Sequence, residues 1–254
     1  MSESTNWLSI AGRRAQELGR ALPGSLVIGM DLSLNHGALV CLRGFDIRHA
    51  LYSTERKNCL ARAELPFQAV MYKSPYKERD RTTFDRLVWW GRVLNVFLKR
   101  NTDAQHVGIE DYAFTAVSSS AYQYGELGGL ARWLCRGRSV RPHDPLSVKL
   151  FAAGRGDAAG LEVEAAVRKK WGQDFRHFNA TTTKKRSAYP VSEDLAAAYT
   201  VAMMVQVEVL LRRGILLMSD LDEHAVRVFN RVTKAHPVNL LGREWLTARG
   251  AGAD

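Results

Sequence analysis

Two short apolar runs, LVIGM (26–30) and HVGI (106–109), each lead directly into a carboxylate, Asp31 in the first case and Glu110 in the second. Runs this short, rich in β-branched residues and bounded by polar segments, read as strands buried in a sheet. An acid at the end of a buried strand is poorly solvated unless it is paired or holds a cation. A third acidic position differs in kind. SEDLAAAYTVAMM (192–204) opens with Glu193 and Asp194 and passes straight into an alanine-rich helix. Ser192 suits the cap of that helix, and the acids suit its dipole. If the two strands are neighbours, their ends converge at one sheet edge.

The rest of the chain supplies elements around those strands. Helical periodicity in the first 22 residues places Trp7, Ile10, Ala11, Leu18 and Leu22 on one side, and Pro23-Gly24 ends the segment. The runs 25–33 and 36–44 read as a hairpin, and PFQAVMYK (66–73) as a third strand; residues 44–66 have no clear assignment. RTTFDRLVWWGRVLNVFLKR (81–100) is an amphipathic helix with Phe84, Leu87, Val88, Leu94 and Leu98 on its apolar side. After the strand at 106–114 come a helix at 118–137, a short strand at SVRPHDP (139–145) and a helical segment from Pro145 through Phe151. Further helices follow at 161–172, from the SED stretch to Arg213, and at 222–234. Strands cluster first and then alternate with helices, which predicts α/β with a mixed sheet, antiparallel at the start and parallel later.

Charge narrows the partners. With 36 Lys and Arg against 26 Asp and Glu the chain carries +10, which favours a polyanionic partner, usually nucleic acid. The basic residues are spread over GRRAQELGR, YKERDRTTFDR, RKKWGQDFRH, TTTKKRS and LLRRG, so a folded basic surface is expected, not a tail. No apolar run approaches the roughly 18 residues of a membrane span, and the N-terminal residues lack a signal-peptide h-region. Cys41, Cys59 and Cys135 are far apart and contain no CxxC, so neither zinc nor a disulfide framework is indicated. The chain reads as cytosolic. Clustered carboxylate oxygens are natural ligands of Mg²⁺, and two such ions about 4 Å apart can activate water and stabilise a leaving oxygen in phosphodiester cleavage. Each acid alone is equally a cap or a loop residue; acids at one edge of a basic chain are what a nuclease needs.

IGMDLSLNHGALVCL, VGIEDYAF, SVKLFAAGRGDA and EDLAAAYTVA resemble, in order and context, the RuvC-type Holliday junction resolvases, over roughly residues 25–210. The resemblance implies an RNase H-like fold with a mixed five-stranded sheet flanked by helices, here carrying an N-terminal helical extension (1–24) and a C-terminal extension (215–254) around a nuclease domain at 25–214. It implies a homodimer that cuts four-way and other branched DNA by paired nicking, with Mg²⁺ or Mn²⁺ as cofactor, two ions per site. By the resemblance Asp31, Glu110 and Asp194 are metal ligands and catalytic, and Lys149 contacts the scissile phosphate. Tyr112 and Phe114 match aromatics that stack on unpaired bases, and the helix with Gly125, Gly128 and Gly129 matches the dimer interface. Lys184 and Lys185, in the basic loop, join the expected DNA-binding set. Trp89 and Trp90 read as core and interface packing, and His36, His106 and His143 as surface or loop residues. The extensions point to a bacteriophage-encoded relative acting in the host cytoplasm.

Two positions depart from the family pattern. Gly160 stands where a second lysine is common, with Arg155 a candidate substitute. Ala197 stands where a second acid is expected one turn after Asp194. The leading expectation is an engineered replacement of an aspartate. Natural loss, a shifted register in which Glu193 or Asp194 does the job, and a different family are the competing accounts. A junction-binding protein without cleavage, or another RNase H-like enzyme such as an RNase H or integrase, are the alternatives for function.

Overall fold

Along Leu26–Leu32 (β1) the side chains alternate between two cores. Leu26, Ile28, Met30 and Leu32 join one apolar cluster, whereas Val27 joins the other, on the side shared by Gly29 and Asp31. A computed structural model describes residues 7–17, 26–33, 36–54, 68–73, 82–111, 120–176, 191–233 and 237–247. The remaining strands are His36–Arg43 (β2), Asp46–Thr54 (β3), Gln68–Lys73 (β4), Ala104–Glu110 (β5) and Ser139–His143 (β6). They form one sheet in the order β4-β3-β2-β1-β5-β6. β1, β2 and β3 are antiparallel in succession, β4 runs parallel to β3, and β5 and β6 run parallel to β1. The mixed α/β sheet, antiparallel at the start and parallel later, is as expected.

The sheet has six strands, not five. The addition is β3, in the stretch 44–66 that had no assignment. Its sequence, DIRHALYST, hides the strand because Arg48 and His49 interrupt any apolar run. Tertiary partners satisfy both: Arg48 donates to Asp103 at 3.2 Å, and His49 Nδ1 lies 2.7 Å from Asn101 Oδ1.

Helices Thr83–Arg100 (α2) and Ser120–Leu134 (α3) cover one face of the sheet. Trp7–Glu17 (α1), Pro145–Ala153 (α4), Gly160–Trp171 (α5), Val191–Arg212 (α6) and Glu223–Phe229 (α7) build the core on the other. Thr82 starts α2 with a reciprocal capping box to Asp85. Phe84, in the first turn of α2, lies beyond the end of the core: it is 72% exposed, not buried on the apolar side as its spacing predicted. Trp90 is buried and Trp89 packs against the same cluster.

α6 is the core helix. It meets a membrane span's test of length and composition, contrary to the sequence expectation that no such run exists, yet 83% of the qualifying window is buried inside this fold. Two glycines let it lie directly on the strands. A Cβ on Gly29 would stand 2.1 Å from Ala198 O, and one on Gly108 would stand 2.6 Å from the side chains of Val201 and Val205. That contact fixes the height of α6 above β1 and β5, and with it the position of its acidic first turn.

Both extensions pack on the central body. Ala11 and Ala15 of α1 join the α6 core, as do Ile215, Leu216, Ala225, Val228, Phe229 and Leu240. Arg14 forms an ion pair with Asp220, linking the two extensions to each other.

Candidate metal and phosphodiester site

β1 and β5 are parallel neighbours, with Met30 opposite Ile109 as their last paired residues. Asp31 and Glu110 each follow by one position. They therefore end adjacent strands at the same sheet edge, on the face of Gly29 and Gly108, which is the face under α6. Asp194 sits in the first turn of α6. The three acids expected from the sequence thus meet where α6 begins.

Their electrostatics register the convergence. Burial raises the Asp31 carboxyl well above the usual range, and the charges of Glu110 and Asp194 raise it further. Glu110 is pushed up to about 7, first by burial; Lys149 opposes the shift, while Asp194 and Asp144 add to it. Glu110 Oε2 is buried and meets no hydrogen-bond partner among the described residues. A buried carboxylate oxygen without a donor, beside two other acids, is an arrangement that a cation relieves.

Lys149 projects from α4. Asp144 caps that helix by accepting from Ser147 N at 3.2 Å, and Pro145 is pre-set for its first turn. The sequence starts this helix at Pro145, as observed, whereas it read Asp144 as part of the preceding strand. Ala197 lies one turn beyond Asp194 on α6 and is half-buried. A Cβ on Gly160, at the first position of α5, would lie 1.8 Å from Glu193 Oε2, so a side chain there requires the Glu193 side chain to turn away. The Glu193 carboxylate occupies the space that the family's second lysine would need. Burial raises the Glu193 pKa, and Asp194 and Glu164 add to it. Arg155 is bonded to Glu162, at 2.6 Å and 2.7 Å, and lies 3.6 Å from Asp157 in the turn between α4 and α5. Tyr112, Phe114, Lys184 and Lys185 lie outside the described residues.

Three histidines read as surface or loop residues lie in strands and are buried or half-buried. His36 is the first residue of β2, half-buried, with Nδ1 2.7 Å from Asp194 Oδ2. The hairpin itself carried the signal, since a tight connection between Asp31 and His36 brings both to the same edge. His143 is opposite Glu110 across β5 and β6 and only 2% exposed. Burial, with Arg141 and Arg243, pushes it down to about 3, so it is neutral in the fold. His106 is half-buried, its ring centroid 5.0 Å from that of Trp245.

Among the described residues no three His, Cys, Asp or Glu side chains form a ready-made metal cage. The donor set of Asp31, Glu110 and Asp194 nonetheless fits a hard, oxygen-preferring divalent cation. The orphaned Glu110 oxygen is the observation behind that fit.

No protein-family model matches the chain, and no curated protein is significantly similar to it. Among solved structures it is similar to Thermus thermophilus RuvC, at 22% identity over 75% of this chain and 97% of that one, with a TM-score of 0.44. A structure of T. thermophilus RuvC in complex with a Holliday junction substrate is 18% identical over 75% and 96%, TM-score 0.47. The yeast mitochondrial Holliday junction resolvase is 12% identical over 82% and 96%, TM-score 0.46. Likeness at such identities concerns the fold alone, and the functional reading rests on the site.

Proposed function

We propose that this chain is a metal-dependent endonuclease selective for branched DNA, four-way junctions above all, working as a homodimer. The observation that carries the reading is the convergence of Asp31, Glu110 and Asp194 at one sheet edge, with a buried Glu110 oxygen lacking a donor, in a chain of net charge +10.

Asp31, Glu110 and Asp194 would hold Mg²⁺ or Mn²⁺, which supplies a Lewis acid for water activation and for the developing charge on the leaving oxygen. The chain's own residues do the remainder. His36 orients the Asp194 carboxylate, leaving its second oxygen for the site. Lys149, on a capped helix, brings a point charge to the phosphate beside Glu110. The basic surface gathers the phosphate backbone, so binding should weaken steeply with salt.

For the dimer, α3 offers a face. Tyr122 and Trp133 are 83% and 59% exposed, and Gly125 and Gly129, with no atom within 4 Å of a built Cβ, fall on the same side at helical spacing. That face suits close approach by a second copy.

Ala197 favours a second reading. With no carboxylate at that place the chain as given binds junctions and fails to cut them. The test is cleavage of a labelled four-way junction in Mg²⁺ by this chain and by Ala197→Asp, with binding measured alongside. Symmetric nicks from the variant alone make position 197 the missing ligand. Binding without cleavage by both overturns the nuclease reading and leaves a junction-binding protein. Absence of junction binding overturns both.

A further inference from the structure

Across β2, β1, β5 and β6 the sheet edge reads His36, Asp31, Glu110, His143. All four side chains belong to the face under α6. Ala38, Val40 and Leu42 of β2 join the α6 core, which sets His36 on that side, and Val140 of β6 joins the opposite cluster, which sets Arg141 and His143 on the α6 side. The two strand-end acids are thus bracketed by two histidines. His36 has its carboxylate, Asp194, at 2.7 Å.

His143 has none. It is 2% exposed, and its Nε2 is buried with no hydrogen-bond partner among the described residues. A buried polar atom left unpaired is costly, and leucine would fill the place without that cost. Its register partner on the parallel strand is Glu110, about 4.8 Å away across the ladder. Glu110 Oε2 is likewise buried without a partner. The imidazole leans toward β5: its Cδ2 lies 3.3 Å from where a Cβ on Gly108 would stand, two residues before Glu110 on the same face. The strand that carries it is held on its outer side too, since Val140 N donates to Leu246 O at 2.9 Å and Leu246 N donates to Val140 O at 3.0 Å.

From above, α6 brings no polar side chain to this corner. Val201 covers Gly108, and the residue one turn nearer the edge is Ala197. Lys149 acts on Glu110 through its charge, which a cation at the site would oppose. His143 is neutral in the fold, so it has one N–H to give and no charge to set against an ion.

We propose that His143 is a positioning residue of the metal site, donating from Nε2 to Glu110 Oε2 so that the other carboxylate oxygen faces the cation. This rests on the metal-dependent reading and deepens it: with alanine at position 197, β6 supplies the polar support that α6 lacks.

The test is Mn²⁺ binding to the full chain by isothermal titration calorimetry, for the unaltered protein, His143→Leu and His143→Gln. Leucine fills the place without a donor and should weaken Mn²⁺ binding about 10-fold. Glutamine keeps an amide donor and should recover most of that loss, a contrast that a packing role does not produce. In ¹H–¹⁵N spectra of the unaltered chain with Mg²⁺, His143 should hold the Nε2–H tautomer. Mn²⁺ bound equally well by His143→Leu, or an Nδ1–H tautomer in the unaltered chain, overturns the assignment and leaves the metal reading standing. Where leucine prevents folding, the tautomer decides. No Mn²⁺ binding by the unaltered chain overturns both.

Discussion

His36 Nδ1 and Asp194 Oδ2 meet at 2.7 Å, joining the start of β2 to the first turn of α6 across 158 residues of sequence. A histidine that holds a ligating carboxylate fixes its orientation, and loss of such a partner typically weakens metal binding 10–100-fold. His36→Ala should therefore lower Mn²⁺ affinity by about 10-fold, measured by isothermal titration calorimetry, with the circular dichroism spectrum unchanged. Unaltered affinity would reduce His36 to a packing residue.

Metal-free protein should lose stability through Glu110 as pH rises. In the fold Glu110 keeps its proton until about 7, whereas an ordinary glutamate releases it near 4.5. Between those values the folded state binds more protons, so this contribution falls with pH and is level above 7. His143 acts in the opposite sense: pushed down to about 3 from 6.5, it makes stability rise with pH over that window. The comparison with Glu110→Gln separates the two. Urea melts at pH 5 and pH 7.5 should show the unaltered chain losing on the order of 3 kcal/mol at most relative to the variant. Saturating Mn²⁺ at pH 7.5 should recover that loss. An identical pH response in both proteins would refute it.

What the sequence disclosed, and what it hid, follow from range. Asp31 and Glu110 were legible because local apolar runs announce strands. α2 was legible because apolar periodicity is also local, and α6 because its apolar run is, although α6 begins at Val191, so Ser192 lies within its first turn and is not its cap. β3 was not, because Arg48 and His49 find their partners in the turn before β5, a contact no local pattern encodes. Phe84 failed for the reverse reason: helical spacing specifies a side, but not how far along the helix the core extends. The extensions were read as additions around a central domain, and no local pattern showed that their apolar residues join the core over α6.

Gly29 and Gly12 should answer oppositely to alanine. At Gly29 a Cβ would meet backbone, Ala198 O at 2.1 Å and Ala202 N at 2.4 Å, and neither can move without lifting α6 from β1. Gly29→Ala should cost about 3 kcal/mol or abolish folding, and any folded fraction should bind Mn²⁺ poorly because Asp194 moves with α6. At Gly12 in α1 nothing lies within 4 Å, so Gly12→Ala should stabilise by about 0.5–1 kcal/mol through helix propensity. Thermal melts of both variants decide it; a Gly29→Ala protein that melts normally would mean that α6 does not sit as close as described.

The pair Arg141–Glu208 should prove fragile to single changes and tolerant of a joint one. Arg141 Nη2 lies 2.6 Å from Glu208 Oε1, with side chains 3% and 0% exposed. Glu208 also accepts from Arg212 Nε at 2.8 Å, and Arg141 holds the carbonyls of Arg243 and Glu244. Removing one charge strands the other in a medium that solvates it poorly, at a typical cost of 3–5 kcal/mol. Glu208→Leu should therefore destabilise by about 3–5 kcal/mol and release the extension, read as faster hydrogen exchange at Val140 and Leu246. Arg141→Met with Glu208→Leu should recover much of the global loss, since apolar replacements of a buried pair are often neutral. It should not recover protection at Leu246, because the double variant lacks Arg141, the donor to the Glu244 carbonyl and one of two donors to the Arg243 carbonyl. Restored stability with restored protection would show that the β6 pairing alone fastens the extension and that Arg141 contributes nothing to it.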